Sequence, residues 1–138
     1  MRRTERRARA RALQAVYAWD VRGGDATLER TAFQVWEDLG VPPVERAMAA
    51  EHVRRLQAHR PALDDGLRAV TDNWRLERLG AIERSVLRLG ASELAHADTP
   101  PKVVLQEAVR LAERFGSAQS ARFVNGVLDA FARAAGRL

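Results

Sequence analysis

Apolar residues recur every three to four positions along most of this 138-residue chain. That spacing is typical of amphipathic α-helices, which bury one side. Glycine and proline stand between the periodic segments, at positions where they end helices. Outside these segments, no alternating strand-like pattern extends beyond four residues. The pattern therefore predicts an all-α fold, a compact bundle of about seven helices in a single domain.

The predicted helices are joined by short loops. They cover about residues 4–20, 28–39, 43–58, 80–97 and 101–115, and a last helix follows residues 117–120 and reaches about residue 134. Because proline is favoured at the first position of a helix, Pro61 is expected to begin a separate short helix. A connector over residues 72–79, carrying Trp74, then divides residues 1–138 into two helical halves, about 1–71 and 72–138.

The apolar stripe of each segment predicts which side is buried. Leu39 ends the stripe of the second segment and Val44 opens that of the third, so both are expected in the core. Gly126 lies near the start of the last helix, where glycine is unfavourable by about 0.5–1 kcal/mol. We expect it to permit close helix packing.

The positive charge is concentrated at the start of the chain. Residues 1–11 hold six arginines and one glutamate, which accounts for the whole net charge of +5, and the remaining residues are balanced. A neutral body with a basic arm is typical of a protein that binds a polyanion, although a solvated tail would have the same composition.

The sequence contains no motif that indicates catalysis. It has no cysteine, which excludes disulfides and thiolate metal sites, and it has no Walker, zinc-protease or dinucleotide-binding motif. No apolar run is long enough to cross a membrane, and no secretory signal is expected. The sequence therefore predicts a cytoplasmic protein that is not an enzyme and has no cofactor, metal site or membrane association.

Four stretches in the same order resemble the NusB family of bacterial transcription antitermination proteins. They are residues 6–17 (RRARARALQAVY), 82–89 (IERSVLRL), 101–109 (PKVVLQEAV) and 120–129 (SARFVNGVLD). The resemblance implies an all-helical fold of two subdomains. It also implies binding to the single-stranded boxA RNA of ribosomal RNA leaders together with NusE, a small-subunit ribosomal protein, and assembly of the antitermination complex on RNA polymerase.

The resemblance also implies which residues contact these partners. Glu83 matches a position near the NusE interface, and Gln119 stands where some relatives carry an acid. With the charged arm included, the expected RNA-binding residues are Arg2, Arg3, Arg6, Arg7, Arg9, Gln14, Tyr17, Arg88, Gln119, Arg122, Phe123 and Asn125.

Each of these side chains has a chemical reason to bind RNA. The arginines neutralise phosphates, and five engaged arginines predict that log K falls with log salt at a slope of roughly −3.5. The amides of Gln14 and Asn125 can read base edges, although Asn125 can equally bond a neighbouring helix. Tyr17 and Phe123 can stack on bases at about 1–3 kcal/mol, unless they pack in the core.

Other functions remain open at this stage. The first alternative is a helical protein–protein adaptor that does not bind RNA directly. A helix-turn-helix DNA-binding protein is disfavoured, because the helices beyond residue 20 are balanced in charge. The oligomeric state is also open, since an apolar helix face serves either a core or a homodimer.

Overall fold

A computed structural model describes residues 2–71 and 75–138. The described part of the chain is all-α, as the hydrophobic pattern predicts, and contains no strand. Six α-helices and one short 3₁₀ turn follow one another: α1 (Arg3–Val21), α2 (Leu28–Leu39), α3 (Pro43–Val70), the 3₁₀ turn (Leu76–Arg78), α4 (Ala81–His96), α5 (Pro101–Phe115) and α6 (Ala118–Ala134).

The prediction of a separate helix beginning at Pro61 is wrong. Pro61 lies inside α3, which continues without a break from Pro43 to Val70. An internal proline removes a backbone hydrogen bond and costs about 3 kcal/mol. However, Leu56, Leu63 and Leu67 are spaced along one side of the continuous helix and are all buried. Burying each leucine contributes about 1.5–3 kcal/mol, which outweighs the cost of the proline.

The chain divides into two compact units, Met1–Ala58 and His59–Leu138. This division falls within α3, whereas the sequence pattern placed it near residue 72. It lies there because α3 does not stop at the proline, so the last three turns of the helix pack with the second unit. Residues 72–74, with Trp74 of the expected connector, lie outside the described residues.

In the first unit, α1 packs closely against α2 because its buried side is built largely from alanine. Ala8, Ala12 and Ala15 are fully buried, and the indole nitrogen of Trp36 donates to the carbonyl oxygen of Arg11 at 3.0 Å. The hydroxyl of Thr27 accepts from the backbone N–H of Arg30 and so begins α2, as N-cap threonines do.

Two expected core residues of the first unit are instead exposed. Leu39 is 49% and Val44 is 69% accessible to solvent. Both lie in a terminal turn, at the end of α2 and the start of α3. The apolar period of these helices therefore continues beyond the part that packs, and the predicted burial of both residues is wrong.

In the second unit, α4 is the central helix. All ten residues from Ser85 to Leu94 are buried, and α4 packs against both α5 and α6. Gly90 permits the approach of α6, since a Cβ there would lie 2.6 Å from Cδ1 of Leu128. The expectation for Gly126 is wrong, because a Cβ at that position meets nothing within 4 Å.

No helix among the described residues combines the length and the apolar character that a membrane crossing requires.

Candidate nucleic-acid interface

One side of α1 carries four of the six RNA-binding residues that are expected on this helix. Arg3, Arg7, Gln14 and Tyr17 are separated by four, seven and three positions, so they share a face of the helix. Arg3, Arg7 and Tyr17 are exposed, and Gln14 is half-buried. At a rise of 1.5 Å per residue, this polar face extends for about 21 Å.

The cationic surface of α1 is only partly neutralised by the protein. Arg2, Arg3 and Arg7 are exposed, and none of them forms an ion pair with residues 2–71 or 75–138. Arg6 and Arg9 do have interactions within the protein. The face defined by Arg3 and Arg7 therefore keeps a positive charge that phosphates can neutralise.

Arg11, in the same basic stretch, has a structural role. Its Nε donates to Oε2 of the buried Glu45 at 2.8 Å, and its Nη1 donates to Oε1 of Gln14 at 3.1 Å. The second bond holds the Gln14 side chain along the helix. In the described chain, the amide N–H groups of Gln14 have no protein acceptor, so they are available to a ligand.

Arg88 does not belong to an exposed surface. It is 8% accessible, and its Nε and Nη2 donate to the two carboxylate oxygens of Asp64 at 3.0 and 3.1 Å. Such a bidentate pair fixes the guanidinium within the fold of the second unit. The burial argues against the expected RNA contact, and we assign Arg88 a structural role.

The expected residues of α6 divide between two faces of that helix. Gln119 and Phe123 line a pocket of about 340 Å³ that they share with Glu83 and Arg78. Arg122 and Asn125 instead line a groove of about 1100 Å³ against α5. The stretch from residue 119 to 125 therefore does not present one continuous surface.

Asn125 and Phe123 lie in different environments. Asn125 is exposed, and its amide makes no hydrogen bond with the described residues. This excludes the interhelical hydrogen bond considered from the sequence. Phe123 is half-buried at the edge of the smaller pocket, so part of its ring is accessible.

Glu83 is held in place at the start of α4. Its Oε1 accepts from the hydroxyl of Ser120 at 2.6 Å, and Ser117 caps α6 beside it by accepting from the backbone N–H of Ser120 at 3.0 Å. A Cβ on Gly80 would collide with Oε2 of Glu83, so glycine leaves room for the carboxylate. The carboxylate is therefore fixed at the wall of the smaller pocket.

Near this pocket the structure shifts one carboxylate toward its charged form. The pKa of Glu77 is lowered by a hydrogen bond from its own backbone N–H and by one from Arg68, whose Nη2 lies 2.6 Å from Oε1. The same hydrogen bond raises the pKa of Arg68. Both residues are exposed, which limits the stability that this pair contributes.

Sequence reasoning missed three arginines that line these concave surfaces. Arg78 borders the smaller pocket, and Arg110 and Arg114 border the groove between α5 and α6. The pair on α5 does have a sequence signal, because a spacing of four places both arginines on one helix face. Arg78 has no such signal, because it ends a 3₁₀ turn of only three residues, outside the periodic helices.

No group of three or more histidine, aspartate or glutamate side chains in the described chain is placed to hold a metal ion. The rings of His59 and His96 stack with centroids 3.7 Å apart. The all-helical fold and the exposed basic face of α1 define a helical protein with a cationic surface.

Comparison with known proteins identifies its family. Residues 6–133 match the model of the NusB family. The transcription antitermination protein NusB of Anaeromyxobacter dehalogenans (strain 2CP-1) is 46% identical over 128 residues, which cover 89% of this chain and 86% of that protein. A T. maritima NusB structure superposes with a TM-score of 0.85 at 30% identity, covering 96% of this chain and 93% of the other.

A further similar structure contains bound partners. It describes the antitermination factors NusB and NusE in complex with dsRNA, and it matches with a TM-score of 0.86 at 29% identity over 97% of this chain and 99% of that chain. The chain belongs to the NusB family, as its sequence motifs indicate. Members of this family are transcription antitermination factors and not enzymes.

Proposed function

We propose that this protein binds the boxA RNA of ribosomal RNA leaders together with the ribosomal protein NusE, and that the pair helps to assemble the antitermination complex on RNA polymerase. A cytoplasmic location is part of this proposal. The observation that carries it is the exposed face of Arg3, Arg7, Gln14 and Tyr17 on α1. A NusB relative with the same fold has been captured with NusE and double-stranded RNA.

The chemistry of this face suits a single strand. Arg3 and Arg7 supply charge to the phosphates, the Gln14 amide can donate to a base edge, and Tyr17, which is 39% exposed, offers a ring for stacking. On α6 we place Gln119 and Phe123 in the RNA-binding set, because they share a pocket that also contains Arg78.

Glu83 supports the proposal of a protein partner. A carboxylate that Ser120 holds at 2.6 Å loses little side-chain entropy when a basic side chain of NusE binds it. We expect Glu83→Gln, which can still accept the hydrogen bond from Ser120, to weaken NusE binding and leave helix content unchanged. Normal NusE binding by this variant would show that Glu83 is not part of the NusE interface.

The arm is tested by replacing Arg3 and Arg7 with alanine and titrating single-stranded boxA RNA at several salt concentrations. Each lost phosphate contact lowers the salt slope by about 0.7, so we expect a change of about 1.4 and a roughly 25-fold loss of affinity at 0.1 M salt. Substitution is preferable to removal of residues 1–9, because Ala8 is fully buried.

The matched control replaces Arg30 and Arg54, two exposed arginines of the same unit, with alanine. A loss of affinity equal to that of the arm variant would show that only total charge matters. An unchanged salt slope in the arm variant would favour the adaptor that binds proteins alone. A duplex of the same sequence, titrated in parallel, separates recognition of unstacked bases from binding to phosphates.

A further inference from the structure

The hairpin of α5 and α6 forms a groove that RNA recognition leaves unexplained. The two helices are joined by Gly116 and Ser117 alone, and the groove between them has a volume of about 1100 Å³. Its floor is aliphatic and is built from Leu105, Val109 and Ala121. On α5 the groove extends from Leu105 to Arg114, which corresponds to about 14 Å of helix.

The rim of this groove is positively charged. Arg110 and Arg114 lie one helical turn apart on α5, and Arg122 faces them from α6. Among the described residues that line the groove, Glu113 is the one acidic side chain. Arg122 forms no ion pair with the described chain.

The two arginines of α5 are fixed near the rim by weak contacts of their own helix. Arg110 is 58% exposed, and its Nε lies 3.6 Å from Oε2 of the buried Glu107. The guanidinium of Arg114 stacks over the ring of Phe115, with its carbon 4.8 Å from the ring centroid. Because these contacts are weak and Arg110 and Arg114 are exposed, an incoming carboxylate can bind both guanidinium groups without breaking a strong internal bond.

The composition of the groove favours a peptide over RNA. Single-stranded RNA is bound by stacking its bases on aromatic rings, and the described residues lining this groove include none. The smaller pocket differs in this respect, because it contains Phe123. An aliphatic floor with cationic edges instead complements an apolar helical stripe flanked by carboxylates.

We infer that the α5–α6 groove binds an acidic amphipathic helix of a partner protein. About ten residues fill its length, with aliphatic side chains against Leu105 and Val109, and with glutamates or aspartates facing Arg110, Arg114 and Arg122. This docking surface does not depend on RNA binding by α1, and it assigns Arg122 and Asn125 to a protein contact.

The test uses a synthetic peptide of about 14 residues with leucines in one helical stripe, glutamates on both sides of it and alanines elsewhere. Binding to the full-length protein is measured by fluorescence anisotropy. We expect Arg110→Glu combined with Arg114→Glu to lower the affinity about tenfold or more, because it reverses the charge along one edge. The peptide with lysines in place of glutamates should not bind the unaltered protein.

The matched control is Arg30→Glu combined with Arg54→Glu, a charge reversal of the same size at two exposed arginines that lie outside the groove. It should change the peptide affinity by less than about twofold. Failure of the glutamate peptide to bind, or equal losses in the control and the groove variant, would overturn the inference.

A titration with boxA RNA tests whether the groove binds RNA instead of a peptide. If the groove variant loses RNA affinity and keeps its peptide affinity, the groove is an RNA surface and the inference is wrong. The Arg3 and Arg7 variant should bind the peptide normally whether or not it binds RNA, so the two proposals fail separately. Circular dichroism establishes that each variant is folded.

Discussion

Helices α1 and α4 both carry arginine, yet they use it in opposite ways. On α1, buried alanines occupy one side and exposed arginines such as Arg3 and Arg7 the other. On α4, ten successive residues are buried, and Arg88 among them is bound by Asp64. An arginine on the exposed side of a helix is available to ligands, whereas one that the fold encloses must be paired within the protein.

The difference shows why the position of a residue in a family motif does not settle its role. Arg88 lies in a stretch that resembles the family, and so do Arg6 and Arg7 of the arm. Burial separates them, because removing a guanidinium from water is tolerated only when a carboxylate compensates for it. The comparison predicts that variants at the buried Arg88 change stability, while variants at the exposed Arg3 and Arg7 change ligand binding.

The largest effect is expected at the buried ion pair. Asp64→Ala removes the carboxylate that binds Arg88 through two hydrogen bonds, in a site where the arginine side chain is 10% exposed. Breaking a buried ion pair by removing one partner costs about 3–5 kcal/mol, so the free energy of unfolding should fall by that amount in a urea titration. On α1, Arg7→Ala should change it by less than about 0.5 kcal/mol.

A double variant sharpens this result. Arg88→Met combined with Asp64→Leu removes both charges and should recover much of the loss, since an apolar pair avoids the cost of desolvation. If Asp64→Ala costs less than about 1 kcal/mol, or if Arg7→Ala costs as much, the proposed contrast between the two helices is wrong.

Smaller changes in stability, opposite in sign, are expected when two glycines are replaced by alanine. Gly90→Ala places a Cβ against the buried Leu128 and should destabilise the fold by about 1–3 kcal/mol, as overpacking does. Gly126→Ala meets no atom within 4 Å and should stabilise α6 by about 0.5–1 kcal/mol. Thermal unfolding of both variants measures the difference, and equal shifts would contradict the assigned packing role of Gly90.

The parts of this structure that depend on residues close together in the sequence were predictable. Thr27 caps α2, Gly40 follows its last residue, and the bounds of α1, α4 and α5 agree with the hydrophobic pattern to within one residue. Pro61 shows where local rules fail, because leucines buried on both sides of it keep α3 continuous. The sequence also assigned the all-helical class correctly from periodicity alone.

The candidate site was predictable only where exposure follows from the sequence. The basic face of α1 was predictable, since six arginines in eleven residues exceed what a buried surface can hold. The burial of Arg88 was not predictable, because its partner Asp64 lies 24 residues away in the sequence, on another helix. The division of the α6 residues between two concave surfaces also needed the positions of α4 and α5.

The smallest effect is expected at an exposed ion pair, the counterpart of Arg88 and Asp64. The folded-state pKa of Glu77 is below its ordinary value of 4.5, because its own backbone N–H and then Arg68 donate to the carboxylate. A lowered carboxylate pKa stabilises the folded state above the ordinary pKa, and this contribution is lost as the pH falls through the folded-state value. Glu77→Gln should therefore lower the melting temperature slightly at pH 7 and not at all at about pH 2. The difference at pH 7 should also shrink in 1 M salt, where charges are screened within about 3 Å. A difference that persists at low pH would show that Glu77 acts through packing and not through its charge.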